Sequence, residues 1–427
     1  MRHRSHLVSG LAVIAAVGLL TTGCSSSGSG AGAPAESSAA STEAPVRADA
    51  DLVIWTSQEQ ATMLKPFAAT FGEENGISVE VQAISGELRA TYVTATNSGK
   101  GPDILVTASD AIGNLVQNDA IDPLNLSADQ LAAYQGVAVN AMTYNNQVYG
   151  VPYAIDNVAL FRNTDLVPTV PASIEELVTS GQQLVDAGTV QNVLSLPVGQ
   201  NGDSYHLQPL FTGAGGYLFG LNADGTYNPD DLGLDSPESI AAMTKVQELA
   251  TAGVLTTSID ADNSISLFAD GKTPYMVSGG WAIEALTEAG LNYEITAVPG
   301  FDGGTAKPFV GVQGLYISSK ATNKTFAQEF VTNFIGSDVE TSLAFSESNG
   351  RPSAVTEAFT QQSATNSDVK GLGDAGVLGR PSPTFPAMAV VWDPLSKAEA
   401  AIIGGSDPAS TLTAAAETIR QQIADAN

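Results

Sequence analysis

Cysteine, histidine and basic residues are scarce in this 427-residue chain, and each shortage excludes a class of chemistry. The single cysteine, Cys24, has no partner for a disulfide within the chain. Two of the three histidines, His3 and His6, lie in the extreme N-terminus, so a Ser-His-Asp triad would have to use His206. Metal sites rich in cysteine or histidine are excluded on the same count. Lysine and arginine together number 17 against 45 acidic residues, a formal net charge of −28. Such a surface repels phosphate backbones, which argues against nucleic acid as a partner. Tryptophan is also rare, with three copies at Trp55, Trp281 and Trp392. The 42 glycines are dispersed without a repeat period, and Gly213–Gly216 lacks the Lys-Ser/Thr of a phosphate loop.

The N-terminus reads as a leader. Arg2, His3 and Arg4 precede an apolar run from Leu7 to Leu20, shorter than the ~20 residues that a membrane-spanning helix needs. The run ends in Leu20-Thr21-Thr22-Gly23-Cys24, which resembles a bacterial lipoprotein box with Thr21 in place of the usual leucine. That resemblance implies a leader over 1–23 and lipid on Cys24. Residues 24–50 are a Ser/Ala/Gly/Pro-rich tether too poor in large apolar residues to pack. A flexible chain of that length has a root-mean-square reach of roughly 28 Å. The expected location is therefore extracytoplasmic, anchored to the membrane by lipid and not by a spanning helix.

The remainder exceeds what one core usually serves, so two domains are expected. Asp51–Thr56 is an apolar run with strand character, and Gln60–Asn75 has helical spacing that stops at Asn75-Gly76. Ile77–Gln82 alternates as a strand, Leu88–Ser98 is helical, and Asp103–Thr107 is a third apolar strand. Strand and helix in alternation give an α/β class with a parallel sheet, on which ligands bind outside the carboxyl ends of the strands. Those ends are Thr56–Glu59 and Thr107–Asp110. In Gly150–Asn163 two apolar runs flank the polar pair Asp156-Asn157. Buried polar groups are costly unless partnered, so this pair marks a crossing between two lobes with Asp156 facing a cleft, or else an ordinary turn between strands. Asp260–Ser264 lacks the glycine and closing glutamate of a calcium loop and reads as a helix cap.

Several segments, taken in order, resemble the maltose/maltodextrin-binding proteins of ABC importers. They are Leu52–Trp55, Phe71–Val79, Gly101–Ile104, Gly215–Tyr217, Gly280–Ala282, Lys307–Val312 and Pro386–Met388 followed by Trp392. The resemblance covers nearly the whole chain after Asp51. It implies a periplasmic-binding-protein-like fold, two α/β lobes joined by a multi-crossing hinge with the ligand cleft between them. The implied N-terminal lobe takes 51–154 and 313–366, and the C-terminal lobe takes 155–312 and 367–427, with a second crossing in Phe309–Leu315.

By the same resemblance the chain is a monomeric, non-catalytic receptor without a cofactor, which binds maltose or a maltodextrin and docks on an ABC permease. Trehalose or another oligosaccharide is the alternative, and a secreted glycosidase using Asp110 and Asp156 as acid and base is a further one. Glu59, Asp110, Asp156 and Asp203 match carboxylates that hold sugar hydroxyls, while Tyr205, Trp281 and Trp392 match rings that stack on pyranose faces. Glu59 and Asp110 also sit where a carboxylate caps a helix N-terminus. Trp55, inside the first apolar run, reads as core. The pattern departs from the family at Gln60 (usually lysine), Thr107 (a stacking tryptophan), Ser396 (arginine), His206 (phenylalanine) and Arg89 (acidic).

Overall fold

Leu52-Val-Ile-Trp-Thr56 is fully buried and forms β1, an interior strand of the first sheet in a computed structural model. The structure describes residues 45–427 apart from Asp224, Ser337 and Asn427. The leader, Cys24 and most of the tether lie outside the described residues. No helix among the described residues is long and apolar enough to cross a membrane.

After β1, the hydroxyl of Ser57 accepts from the Gln60 amide and caps α1 (Gln58–Asn75). The cap starts the helix two residues earlier than hydrophobic spacing alone indicated. Gly76, at φ 65°, ends it in the left-handed conformation that glycine adopts without steric cost. β2 (Val79–Ala83) and β3 (Ile104–Ala108), separated by α2 (Leu88–Asn97), pair parallel to β1 on its two sides. Trp55 is fully buried, with its indole N–H on Gln82 Oε1 at 2.9 Å, so its role is core.

β4 (Gly150–Asn157) and β5 (Ala159–Asn163) are consecutive, but they belong to different sheets. The second sheet contains β5 together with β6 (Leu194–Ser195), then β7 (Tyr275–Ser278) and β8 (Tyr293–Thr296). Between these strands come α3 (Ser204–Gly213) and α4 (Ile283–Ala289). β9 (Phe309–Ile317) returns to the first sheet and runs antiparallel to both β3 and β4, with Gly311 opposite Asp156 and Gln313 opposite Ala108. α5 (Val339–Asn349) follows, then the short β10 (Arg380–Pro381) on the edge of β9, and α6 (Trp392–Ile403).

The buried apolar residues separate along the same line. Those from Leu52 to Ala154 and from Val312 to Ala358 form one cluster, and those from Val158 to Phe309 and from Met388 to Ile419 form another. A third, smaller cluster joins Phe161 and Met276 to Leu372. Two α/β lobes with chain crossings between them follow from this division. The crossings place Asp156 and Gln313 side by side on paired strands at the junction.

The Asp260 segment is a local turn: Asp260 Oδ1 accepts from the amides of Asp262 and Asn263 just before a helix that begins at Ser264. Among the described residues no cluster of His, Cys, Asp or Glu could hold a metal ion.

Candidate functional site

Three of the acidic positions singled out in the sequence lie where strand ends and crossings predict them. Glu59 sits in the first turn of α1 after β1, Asp110 in the single turn after β3, and Asp156 near the end of β4. Asp203 caps α3, accepting from the His206 amide at 3.1 Å and contacting His206 Nδ1 at 2.8 Å.

Sequence reasoning missed the group that ties the first wall together. Arg351 donates from Nε to Asp156 Oδ1 at 2.7 Å and from Nη1 to Glu59 Oε1 at 2.7 Å. Its guanidinium carbon also lies 5.8 Å from the Trp281 ring centroid, within cation–π range. The Arg351 side chain is 5% exposed and Asp156 8%, whereas Glu59 is 52% exposed. The Asp156 arm is therefore the stronger of the two, because water screens the other. Burial disfavours charge on Arg351, but Asp156 and Glu59 outweigh it and hold the guanidinium protonated well beyond its usual range. The other oxygen of Asp156 accepts from Gln313 Nε2 at 2.8 Å. The amide of Gln60 in turn donates to Gln313 Oε1 at 2.8 Å and to the Tyr153 hydroxyl at 3.0 Å. Gln60, the neutral replacement for a lysine, thus belongs to a hydrogen-bonded chain that reaches Asp156.

A second junction forms around Asp110. Arg89 grips it through both nitrogens, at 2.6 and 2.8 Å, and its Nε donates to Thr107 Oγ1 at 3.2 Å. Burial opposes the Arg89 charge and Asp110 overrides that, so its pKa is raised. Trp392, at the start of α6, donates its indole N–H to Asp110 Oδ2 at 3.2 Å. Three donors already converge on this carboxylate, which leaves it little free lone-pair capacity. Arg89 and Thr107, both departures from the family pattern, therefore act together on Asp110.

The rings come from the other lobe. Trp281 follows Gly279 and Gly280, is partly exposed, and has Tyr205 at 6.4 Å and His206 edge-on at 5.6 Å. Trp392 meets Phe309 edge-to-face at 5.6 Å. Asp156 ranks after burial, and ahead of Asp110 and Asp203, in raising the Tyr205 pKa, so this hydroxyl stays neutral among the acids. Ser396, one turn into α6, bonds the Ser204 hydroxyl at 2.9 Å and braces α6 against α3. Gly280 and Gly350 let the two lobes approach closely: a Cβ on Gly280 would stand 2.7 Å from the Gly350 carbonyl oxygen.

The structure thus joins Glu59, Asp156 and Trp281 through Arg351, joins Asp110 to Trp392 directly, and sets Tyr205 beside Trp281. Asp203 is engaged with His206 at the edge of this group. Beside Glu59 and Trp281 lies a cavity of about 640 Å³ lined from both lobes, within the 300–1,000 Å³ typical of ligand pockets. Flat rings opposite polar groups with fixed orientation can bind a flat-faced, polyhydroxylated molecule. A cationic ligand would compete with Arg89 and Arg351 for the same carboxylates.

Residues 67–370 match the family described as bacterial extracellular solute-binding protein. The chain is 27% identical over 383 residues to the galactooligosaccharide-binding protein of Bacillus subtilis (strain 168), covering 87% of this chain and 89% of that one. It is 26% identical over 351 residues to the maltotriose-binding protein of Pyrococcus abyssi (strain GE5 / Orsay), covering 80% and 75%. A maltooligosaccharide ABC transporter solute-binding lipoprotein of Streptococcus pneumoniae (strain ATCC BAA-255 / R6) is 23% identical over 393 residues, covering 88% and 90%.

Proposed function

Because the chain belongs to the bacterial extracellular solute-binding proteins, we propose that it is the oligosaccharide receptor of an ABC importer. It binds a neutral saccharide between lobes 51–154/313–366 and 155–312/367–427 and delivers it to a permease. Lipid on Cys24 would hold it outside the membrane, with residues 24–50 as its tether. The separation of the apolar clusters between Ala154 and Val158 and between Phe309 and Val312 supports these lobe boundaries.

The observation that carries the reading is that the carboxylates of the cleft are already held by donors of the protein. Glu59 and Asp156 share Arg351, Asp110 is held by Arg89, and Asp203 is engaged by His206, with the rings of Tyr205, Trp281 and Trp392 beside them. Uncharged hydroxyls suit acceptors already fixed in place, and the C–H faces of a pyranose suit indole and phenol rings. Glu59, Asp110, Asp156 and Asp203 would accept hydroxyls or position the donors beside them, and Tyr205, Trp281 and Trp392 would stack. Charge-assisted hydrogen bonds contribute about 1.5–3 kcal/mol each, so two or three of them plus stacking reach micromolar affinity, about −8 kcal/mol, after association costs.

Maltose and short maltodextrins are the first ligands to try, on the family pattern. A galacto-oligosaccharide is the second reading, favoured by the relative named for that ligand and by Thr107 and Gln60 standing where a stacking tryptophan and a lysine serve maltose. A hydrolase reading suits the site less, since both oxygens of Asp110 accept from Arg89 and those of Asp156 accept from Arg351 and Gln313. Calorimetric titration with maltose, maltotriose, galactobiose, galactotriose and trehalose tests the proposal. Saturable 1:1 heat with at least one, and no released product on incubation, supports it; turnover proportional to protein would establish the enzyme instead.

A further inference from the structure

A second cavity, of about 440 Å³, lies between α3, the start of β9 and an antiparallel hairpin of Phe219–Leu221 with Tyr227–Leu232. It shares no lining residue with the cavity beside Glu59. Its hairpin wall is apolar: Leu221 is 43% exposed, and Tyr227, opposite it across the hairpin, is partly exposed. Lys307 and Arg380 border the cavity, and no Asp or Glu is among its described lining residues. Neither cation makes an ion pair with a described residue. In a chain with 45 acids to 17 bases, this is a local inversion of charge. Backbone pairing holds the two cations near each other. Arg380 lies opposite Phe309, and its amide donates at 3.0 Å to the carbonyl of Pro308, the residue after Lys307. The Arg380 charge also reaches the Tyr227 hydroxyl, where it opposes the upward pull of burial on the phenol pKa. On the α3 wall, Gln208 is 4% exposed, and its Oε1 has no hydrogen-bond partner among the described residues.

We infer that this cavity is a second binding site, for a small aromatic carboxylate whose ring lies against the hairpin and whose head meets Arg380 and Lys307. The planar guanidinium fork matches both oxygens of a carboxylate, and Lys307 adds a compact charge on a flexible stem. Tyr217, Tyr227 and Leu221 supply apolar area for a body of one or two rings, and the volume falls in the 300–1,000 Å³ range of ligand pockets. The Gln208 amide, with no bond to hold its Oε1, can turn to accept a ligand hydroxyl or indole N–H. A neutral sugar gains nothing from the two cations, and a bare inorganic anion leaves the apolar wall uncovered. The net charge of −28 repels anions at long range, but physiological salt screens exposed charges beyond about 8 Å, so the nearby cations decide. The site is separate from the saccharide cleft. Phe309 lines this cavity and meets Trp392 edge-to-face at 5.6 Å, so it stands as the wall between the two.

Titration calorimetry on the full mature chain, free of saccharide, tests this with 4-hydroxyphenylacetate and indole-3-acetate. The corresponding amides serve as uncharged controls, and acetate and inorganic phosphate as anions without a body. The expected result is saturable 1:1 heat with at least one aromatic carboxylate, and at least tenfold weaker binding of its amide, of acetate and of phosphate. Lys307→Gln and Arg380→Gln should each weaken the carboxylate at least fivefold, and the double variant should bind acid and amide alike. Leu221→Glu, which sets a repelling charge on the exposed rim, should weaken it too and covers the case in which the double variant misfolds. No saturable heat with either carboxylate overturns the site, as does a carboxylate bound no better than its amide or acetate. Unchanged binding in the folded charge and rim variants overturns it as well. Each of these outcomes leaves the oligosaccharide reading as it stands.

Discussion

One wall of the cleft is made of ion pairs and the other of rings. The first carries Glu59, Arg89, Asp110, Asp156 and Arg351, with the Thr107 hydroxyl on Arg89. The second carries Tyr205, Trp281 and Trp392, and its acid, Asp203, is engaged with His206. The difference is one of cost and cooperation. Buried charges need one another, so the ionic wall should respond to mutation as a unit; rings bury area independently, so the aromatic wall should respond residue by residue.

The largest effect follows from removing the shared cation. Arg351→Ala leaves Asp156 buried without its guanidinium and should cost about 3 kcal/mol of stability, measurable by urea denaturation, with sugar binding lost as well. A loss under 1 kcal/mol would mean that the ionic wall is not the unit described. On the opposite wall, Trp281→Ala and Trp392→Ala should each weaken binding by at least about tenfold, or 1.4 kcal/mol, with stability losses below that of Arg351→Ala. The loss should be larger for Trp392, which donates to Asp110 and packs on Phe309. Stability losses as large as that of Arg351→Ala would erase the contrast. Ser57→Ala removes the cap of α1, the helix that presents Glu59, and should cost about 1 kcal/mol by the same denaturation assay.

The smallest effect comes from an acid hidden in the aromatic lobe. Glu399 on α6 is 1% exposed, and neither of its oxygens has a hydrogen-bond partner among the described residues. Burial, followed by the negative charge of Asp203, raises its pKa well above the usual carboxylate value. The folded protein therefore holds a proton that the unfolded chain releases, so this group's stabilising contribution is complete below the ordinary carboxylate pKa and is lost as pH rises above it. Glu399→Gln should raise the melting temperature at pH 8 and give no gain at pH 4. Equal shifts at both values would show that the side chain is charged in place.

Much of this arrangement was legible from local signals. The first sheet followed from three apolar runs and two helical spacings, and the crossing followed from a polar pair inside an apolar path. Asp156, expected to face the cleft, is instead 6% exposed, with its oxygens on Arg351 and Gln313. Trp281 was marked by the glycines before it. Arg351 had no comparable signal: it lies 195 residues from Asp156 and 292 from Glu59, in an Asn-Gly-Arg-Pro turn that looks like any helix exit. The left-handed Gly350, φ 64°, ends α5 just before Arg351, but sequence does not tell where such a turn points. The available hint was electrostatic. Several carboxylates converging on a cleft require cations, and in a chain with 17 basic residues the candidates were few. Arg89 was noticed as a departure, yet its bond to Asp110 depends on the packing of α2 against β3.

Intrinsic fluorescence tests the central claim, that saccharide is held between the two walls, most directly. Trp55 is buried in the core, while Trp281 and Trp392 are partly exposed in the cleft. Titration with maltotriose or galactotriose should give a saturable change in emission that Trp281→Phe and Trp392→Phe each diminish and the double variant abolishes. An unchanged spectrum with every trisaccharide, or a full response in the double variant, would contradict the account.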